Sequence, residues 1–166
     1  AEGYIKEARQ KIAATLKVDP KEFIITSGGT ESNNMALIGT ALAAKRKGNH
    51  IITTAVEHPS VKATASFLEE QGFRITFLSV DSRGQISLED LKEALTPDTI
   101  LVSIMYVNNE IGTIQPVEEA AKLVHATVPG AVFHVDAIQA YGKVMIRPKQ
   151  QGIDLLSVSS HKFHGP

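Results

Sequence analysis

The stretch Ile153-Asp154-Leu155-Leu156-Ser157-Val158-Ser159-Ser160-His161-Lys162 decides the reading of this chain. Its apolar first half, over 153–158, has the length and composition of a buried strand. That strand runs out into two hydroxyls, an imidazole and an amine. A strand that ends this way delivers its last side chains into a polar pocket, and Lys162 becomes a candidate Schiff-base lysine. An amine near other cations or in a dry site loses proton affinity and becomes nucleophilic. Lys162 therefore points to a protein built around an aldehyde cofactor. The ordinary alternative for a lysine is a solvated surface charge, and the rest of the sequence has to decide between the two.

Outward from that strand, helix-period and strand-period segments alternate. Residues 4–17 read as an amphipathic helix ended by Asp19-Pro20, and Phe23-Ile24-Ile25-Thr26 reads as a strand. Ser27-Gly28-Gly29 is a turn, and a helix runs from Thr30 to about Lys47, closed by Gly48. Strand 50–54, helix 60–71 and strand 73–79 follow. Asp81 to Gly84 form a turn, and Ser87 is the N-cap of a helix with acids in its first turn. Strand 100–106, helix 117–127 behind Pro116, and strands 131–135 and 153–158 complete the pattern. Such alternation predicts an α/β fold of three layers: a mostly parallel sheet flanked by helices. In such sheets ligands collect at the carboxyl ends of the strands. No repeat, low-complexity segment or internal domain boundary is visible.

Composition narrows the function. Hydrophobic residues make up 43% of 166, enough to build a core, and the net charge is −1 with no basic block. Nucleic acid and anionic membrane are therefore not the expected partners. The most apolar stretch, Ile100 to Val107, is too short to span a bilayer, and the N-terminus reads as helix and not as a signal peptide. With no cysteine, disulfides, thiolate metal sites and cysteine nucleophiles are excluded from this segment, and a cytoplasmic location fits. Six histidines raise the question of a metal, with His161 and His164 three apart and His58 a third candidate. No HExxH or CxxC pattern supports one, so no metal site is expected.

Four further polar motifs follow predicted strands. Thr26-Ser27-Gly28-Gly29-Thr30-Glu31-Ser32 joins a strand to a helix, where free N–H groups and the positive end of the dipole suit a phosphate. It matches neither the P-loop nor the dinucleotide fingerprint, and an ordinary glycine turn with a Ser/Thr cap is the alternative. Glu57-His58-Pro59-Ser60-Val61 holds an imidazole where it could stack on a flat ring or move protons; a capping histidine is the plainer reading. Val107-Asn108-Asn109-Glu110-Ile111-Gly112 is a polar contact or an Asn/Gly turn. Phe133-His134-Val135-Asp136-Ala137-Ile138-Gln139 sets a carboxylate directly after a buried strand, where it needs a positive partner such as a protonated pyridine nitrogen. Gln139 can reach a neighbouring ring substituent. An N-capping aspartate is the alternative. The shared placement after strands is the signal that each motif lacks alone.

In order, TSGGTESNN, EHPSV, VNNEIG, HVDAIQ and SSHKFHGP resemble the cysteine desulfurase family, pyridoxal-phosphate enzymes of fold type I in the class V aminotransferase group. The resemblance covers essentially all 166 residues. It implies that Lys162 binds the cofactor as a Schiff base and then shuttles a proton at the substrate Cα. Asp136 would pair with the pyridinium nitrogen and keep the ring an electron sink. Gln139 would hydrogen-bond the phenolic oxygen, His58 would stack on the ring and assist proton transfer, and Asn109 would lie beside the phenolic oxygen and the substrate carboxylate. Gly29, Thr30, Ser159 and His161 would hold the phosphate. The resemblance further implies L-cysteine as substrate, L-alanine as product, an enzyme persulfide, a sulfur-acceptor protein serving iron–sulfur clusters or tRNA thiolation, and a homodimer.

Two departures matter. Family members carry their persulfide-forming cysteine, and an arginine for the substrate carboxylate, far beyond the lysine, whereas this chain has no cysteine and stops at Pro166. Residues 1–166 are therefore expected to be the cofactor-binding core of the family's large domain, incomplete without an N-terminal segment and a C-terminal small domain. Alone they are expected not to form persulfide. The alternatives are a selenocysteine lyase or class V aminotransferase, and a non-catalytic fold fragment. A nicotinamide dehydrogenase shares the parallel sheet but lacks its glycine fingerprint.

Overall fold

A computed structural model of the protein describes residues 2–108 and 110–159. Five parallel strands form the central sheet: β1 (His50–Thr54), β2 (Arg74–Leu78), β3 (Thr99–Met105), β6 (Val132–Asp136) and β7 (Leu155–Ser157). Their spatial order is β2-β1-β3-β6-β7, and every pairing is parallel. A short antiparallel hairpin, β4 (Val107–Asn108) and β5 (Thr113–Ile114), follows β3. The helices are α1 (Glu2–Leu16), α2 (Gly29–Ala43), α3 (Pro59–Glu70), α4 (Leu88–Ala94), α5 (Val117–Thr127) and α6 (Pro148–Gln151).

Alternation along the strands splits the core in two. Ile51 and Leu101 face α2 and α3 and pack with Leu37, Ala41, Val61 and Leu68. Ile52, Val102, Ile104, Phe133 and Val135 face α4 and α5 and pack with Leu91, Val117, Ala120 and Val124. The three layers expected from the sequence are therefore present. Strand β1 connects outward to β2, and the chain then returns past β1 to β3. This reversal opens a crevice between the carboxyl ends of β1 and β3, where such sheets bind ligands.

The predicted element bounds hold to within a few residues, with two corrections. Phe23–Thr26 forms no strand. Ile24 and Ile25 are exposed (70% and 49%), so their β-propensity finds no ladder partner among the described residues. Helix α2 ends at Ala43, not near Lys47, and the chain unwinds through turns in which the N–H groups of Lys47 and Gly48 both donate to the Ala44 carbonyl. Gly48 is tight against the Asp98 backbone, and a Cβ there would overlap the Asp98 carbonyl.

Candidate active site at the carboxyl edge of the sheet

The sheet face beneath α2 changes character along its length. At the amino end it presents Ile51 and Leu101; toward the carboxyl end come Thr53, Ser103, His134, Ser157 and finally Asp136. All are buried, so each polar atom must be paired inside the protein. His134 is fully buried and sits between two hydroxyls, with Nδ1 at 2.7 Å from Ser103 Oγ and Nε2 at 2.9 Å from Ser157 Oγ. Burial pushes its pKa down to about 4, so the ring is neutral and ties β3, β6 and β7 together one step before Asp136.

Asp136 is the last residue of β6 and 2% exposed. Its Oδ1 accepts the Ile138 N–H (3.1 Å), which caps the following turn, and its Oδ2 accepts Asn33 Nδ2 (3.1 Å). The capping and the ligand readings of this aspartate are thus compatible, since each oxygen has capacity for a further donor. Burial raises its pKa, against the lowering effect of the Ile138 and Asn33 bonds and of His58 nearby. Among the described residues no lysine or arginine forms an ion pair with it. A carboxylate desolvated in this way gains most from a cation brought by a ligand.

Helix α2 meets the same spot. Its N-cap, Gly28, is extended and makes no side-chain cap, so the first-turn N–H groups of Gly29 and Thr30 are not capped by it. Gly29 lies against Ile138, and a Cβ there would collide with the Ile138 side chain. The glycine thus lets the helix start sit beside the loop after Asp136. Thr26 Oγ1 donates to the Gly28 carbonyl (3.0 Å) and lies 2.7 Å from Ser32 Oγ. Glu31 reaches back to the Ser27 hydroxyl and N–H, which holds its carboxyl below the usual range.

His58 is exposed and is the N-cap of α3: its Nδ1 accepts the Ser60 N–H (3.1 Å) and lies 2.8 Å from Ser60 Oγ. The plainer reading of this residue, a capping histidine, is therefore correct as far as the local chain goes. The capping bond also requires Nδ1 to accept, so the neutral ring carries its proton on Nε2. His58 comes four residues after the end of β1, at the same carboxyl edge of the parallel sheet where Asp136 ends β6. Gln139 is half-buried three residues after Asp136, and Ser159 is buried two residues beyond β7. The structure therefore brings Gly29, Asp136 and His58 to one edge of the sheet. Asn109, His161 and Lys162 lie outside the described residues.

Two residues escaped the sequence reading. Asn33 is 1% exposed, and its Oδ1 is buried without a partner. The signal was its spacing: Asn33, Leu37 and Ala41 share the buried stripe of α2, and an amide on such a stripe needs a polar purpose. Glu57 is 4% exposed. Its Oε2 accepts both the Thr54 hydroxyl (2.6 Å) and the Met105 N–H (2.9 Å), while its Oε1 is buried with no partner. Only its neighbour His58 drew attention in the sequence, because a glutamate is ordinarily solvated. Among the described residues no cluster of acids and histidines could hold a metal ion, and no helix is long and apolar enough to cross a membrane.

Known proteins share this frame. The cysteine desulfurase IscS of Clostridium botulinum (strain Kyoto / Type A2) is 51% identical over 159 residues, which is 96% of this chain and 40% of that protein. A NifS-like protein of known structure superposes with a TM-score of 0.95 at 42% identity, over 99% of this chain and 45% of that one. The structure of SspA in complex with cysteine gives 0.92 at 41% identity, over 98% and 46%. The chain thus spans less than half the length of the relatives it matches. The class-V aminotransferase family profile matches residues 1–166 throughout. With the parallel sheet, the glycine-led helix and the buried aspartate all in their expected places, the chain belongs to the class-V aminotransferase family.

Proposed function

We propose that this chain is the cofactor-binding core of a pyridoxal 5′-phosphate-dependent cysteine desulfurase, a longer homodimeric protein that converts L-cysteine to L-alanine. It would leave the sulfur as an enzyme persulfide for an acceptor protein of iron–sulfur assembly or tRNA thiolation. The observation that carries the reading is Asp136. A buried carboxylate, oriented by a donor on each oxygen and without a basic partner among the described residues, suits a protonated ring nitrogen. The donor set fits the rest of the cofactor: an uncapped helix start at Gly29 and Thr30 for its phosphate, and an imidazole at His58 for its ring face. When bound, the cofactor supplies an electron sink for bonds at the substrate Cα.

The chain's own residues do the holding and the proton traffic. Asp136 keeps a positive charge on the ring side of the pocket, and Asn33 and the Ile138 N–H fix its orientation. His58, with its proton on Nε2, presents an N–H donor at this edge of the sheet, and it is assigned the ring face and assistance in proton transfer, for which Nδ1 would have to leave its cap. Gln139 and Asn109 are assigned the ring oxygen, Ser159 and His161 the phosphate, and Lys162 the covalent link and the proton at the substrate Cα. The similarity to named cysteine desulfurases at about half identity favours this over a selenocysteine lyase. A cytoplasmic location goes with the likeness to a bacterial relative. The persulfide cysteine would be contributed from outside residues 1–166, which contain none.

The test is absorption spectroscopy of the full-length protein with pyridoxal 5′-phosphate. A near-visible band that borohydride removes and Lys162→Ala lacks is the expected result. A band that survives the substitution would overturn the assignment of Lys162, and no band at all would overturn the cofactor.

A further inference from the structure

We propose that Glu57 is a positioning residue of this site that acts as a neutral carboxylic acid, latching the end of β1 to the end of β3 through one oxygen and carrying a proton on the other. This rests on the reading of Asp136 as the anion that faces the cofactor.

The geometry assigns the proton. Two buried carboxyl groups within electrostatic reach of each other cannot both ionise at low cost. Asp136 is equipped for charge: Asn33 donates to one oxygen and the Ile138 N–H to the other. Glu57 is one-sided. Both of its donors, the Thr54 hydroxyl and the Met105 N–H, fall on Oε2, a pattern the carbonyl oxygen of an acid accepts and one that leaves the other oxygen with no donor for a charge. Its Oε1 is buried and bare, and there an O–H costs far less than an anionic oxygen. The charged groups that act on it are Asp136 of β6, which disfavours ionisation, and Lys62 of α3, which favours it. Burial, aided by Asp136, outweighs Lys62 and the two hydrogen bonds on Oε2, and its pKa is pushed up to about 8.

The latch joins three of the site's loops. Glu57 precedes His58, so its carboxyl anchors the segment that presents the imidazole. Met105 ends β3, and the next N–H, that of Tyr106, donates to the Asp136 carbonyl (2.9 Å). Asn108 Nδ2 donates back to the Val56 carbonyl (3.2 Å), a second tie between the same two loops. A neutral Glu57 therefore fixes the spacing among His58, Asp136 and the start of β4 up to Asn108. It does so without adding a second negative charge beside Asp136.

Glu57→Gln decides the matter, because an amide copies a neutral acid: one oxygen accepts and the other position donates. Infrared difference spectra of the cofactor-free full-length protein between pH 6 and pH 9 are expected to show a carboxylic-acid carbonyl band lost on alkalinisation and missing from Glu57→Gln. In the wild type the folded state keeps a proton that the unfolded chain releases. Its folding constant should therefore fall, relative to Glu57→Gln, by up to about tenfold per pH unit between pH ~4.5 and ~8, and level off above. Thr54→Val removes a donor to the charged form and should move the infrared midpoint to higher pH. With pyridoxal 5′-phosphate, Glu57→Gln should bind within about threefold of wild type near pH 7, and Glu57→Ala at least tenfold more weakly. Identical infrared spectra for wild type and Glu57→Gln, or parallel stability profiles, would overturn the proposal. So would a Glu57→Gln protein that binds as weakly as Glu57→Ala. The cofactor-free arms do not depend on the cofactor assignment, so failure of that assignment would show as absent binding in the wild type with the carboxyl band still present.

Discussion

The neutral imidazole of His134 makes a pH-dependent prediction that can be read as a difference between two proteins. The perturbation is His134→Gln. In the folded state the ring is fully buried between Ser103 and Ser157, and desolvation alone holds its pKa at about 4 against an ordinary 6.5. The folded pKa is depressed, so between pH 6.5 and 4 the unfolded chain binds a proton that the folded one refuses. Stability is therefore lost as pH falls through that window. At about 1.4 kcal/mol for each pKa unit, the loss reaches about 3 kcal/mol near pH 4. Gln cannot titrate. It keeps one serine bond and strands the other hydroxyl, at a cost of about 1–3 kcal/mol at every pH. Wild type should thus lead at pH 7.5 by about 1–3 kcal/mol and lose that lead, or fall behind, by pH 4. Urea unfolding followed by circular dichroism at half-unit pH steps, with m-values held equal, measures the gap directly. Titrations common to both proteins, including that of buried His50, cancel in the difference. A gap that stays constant from pH 7.5 to pH 4 would refute the buried neutral ring.

Two further outcomes follow from the geometry. Asp136→Asn should weaken pyridoxal 5′-phosphate binding by at least about tenfold, the charge-assisted bond being worth about 1.5–3 kcal/mol. The cofactor-free protein should keep its Tm within a few degrees, because relief of the buried charge offsets the donor-to-donor contact with Asn33 or Ile138; spectroscopic titration and calorimetry check the two halves. Gly48→Ala should cost about 1–3 kcal/mol in chemical unfolding, since its Cβ meets the backbone carbonyl of Asp98 and not a side chain that could swing aside.

Much of the molecule was legible in one dimension because the relevant periods are local. The apolar runs at 50–54, 100–106, 131–135 and 153–158 had the length of buried strands, and the structure pairs all four. Pro116, Ser87 and the acids after it marked helix starts correctly, since caps depend on neighbours three or four residues away. Phe23–Thr26 failed for the complementary reason. Its composition suits a strand, but a strand exists only where another chain segment supplies hydrogen bonds, and none does so among the described residues. His58 divided the two levels: its sequence context marked a helix cap, and the sheet order added its place at the carboxyl edge that also holds Asp136.

By itself the sequence determined the layer architecture, the placement of polar motifs after strands and the family resemblance, all of which are written in spacing and residue type. It could nominate Asp136 because a carboxylate behind an apolar strand is conspicuous. Only the tertiary structure decided what surrounds that carboxylate. Asn33 reaches it from 103 residues away, and Glu57 finds Met105 from 48 residues away, through a sheet order that places β1, β3 and β6 side by side. Which charges are dry, which oxygens are paired and therefore which protons are held depend on distances between segments remote in the chain. Those distances come from packing, and no local pattern encodes them.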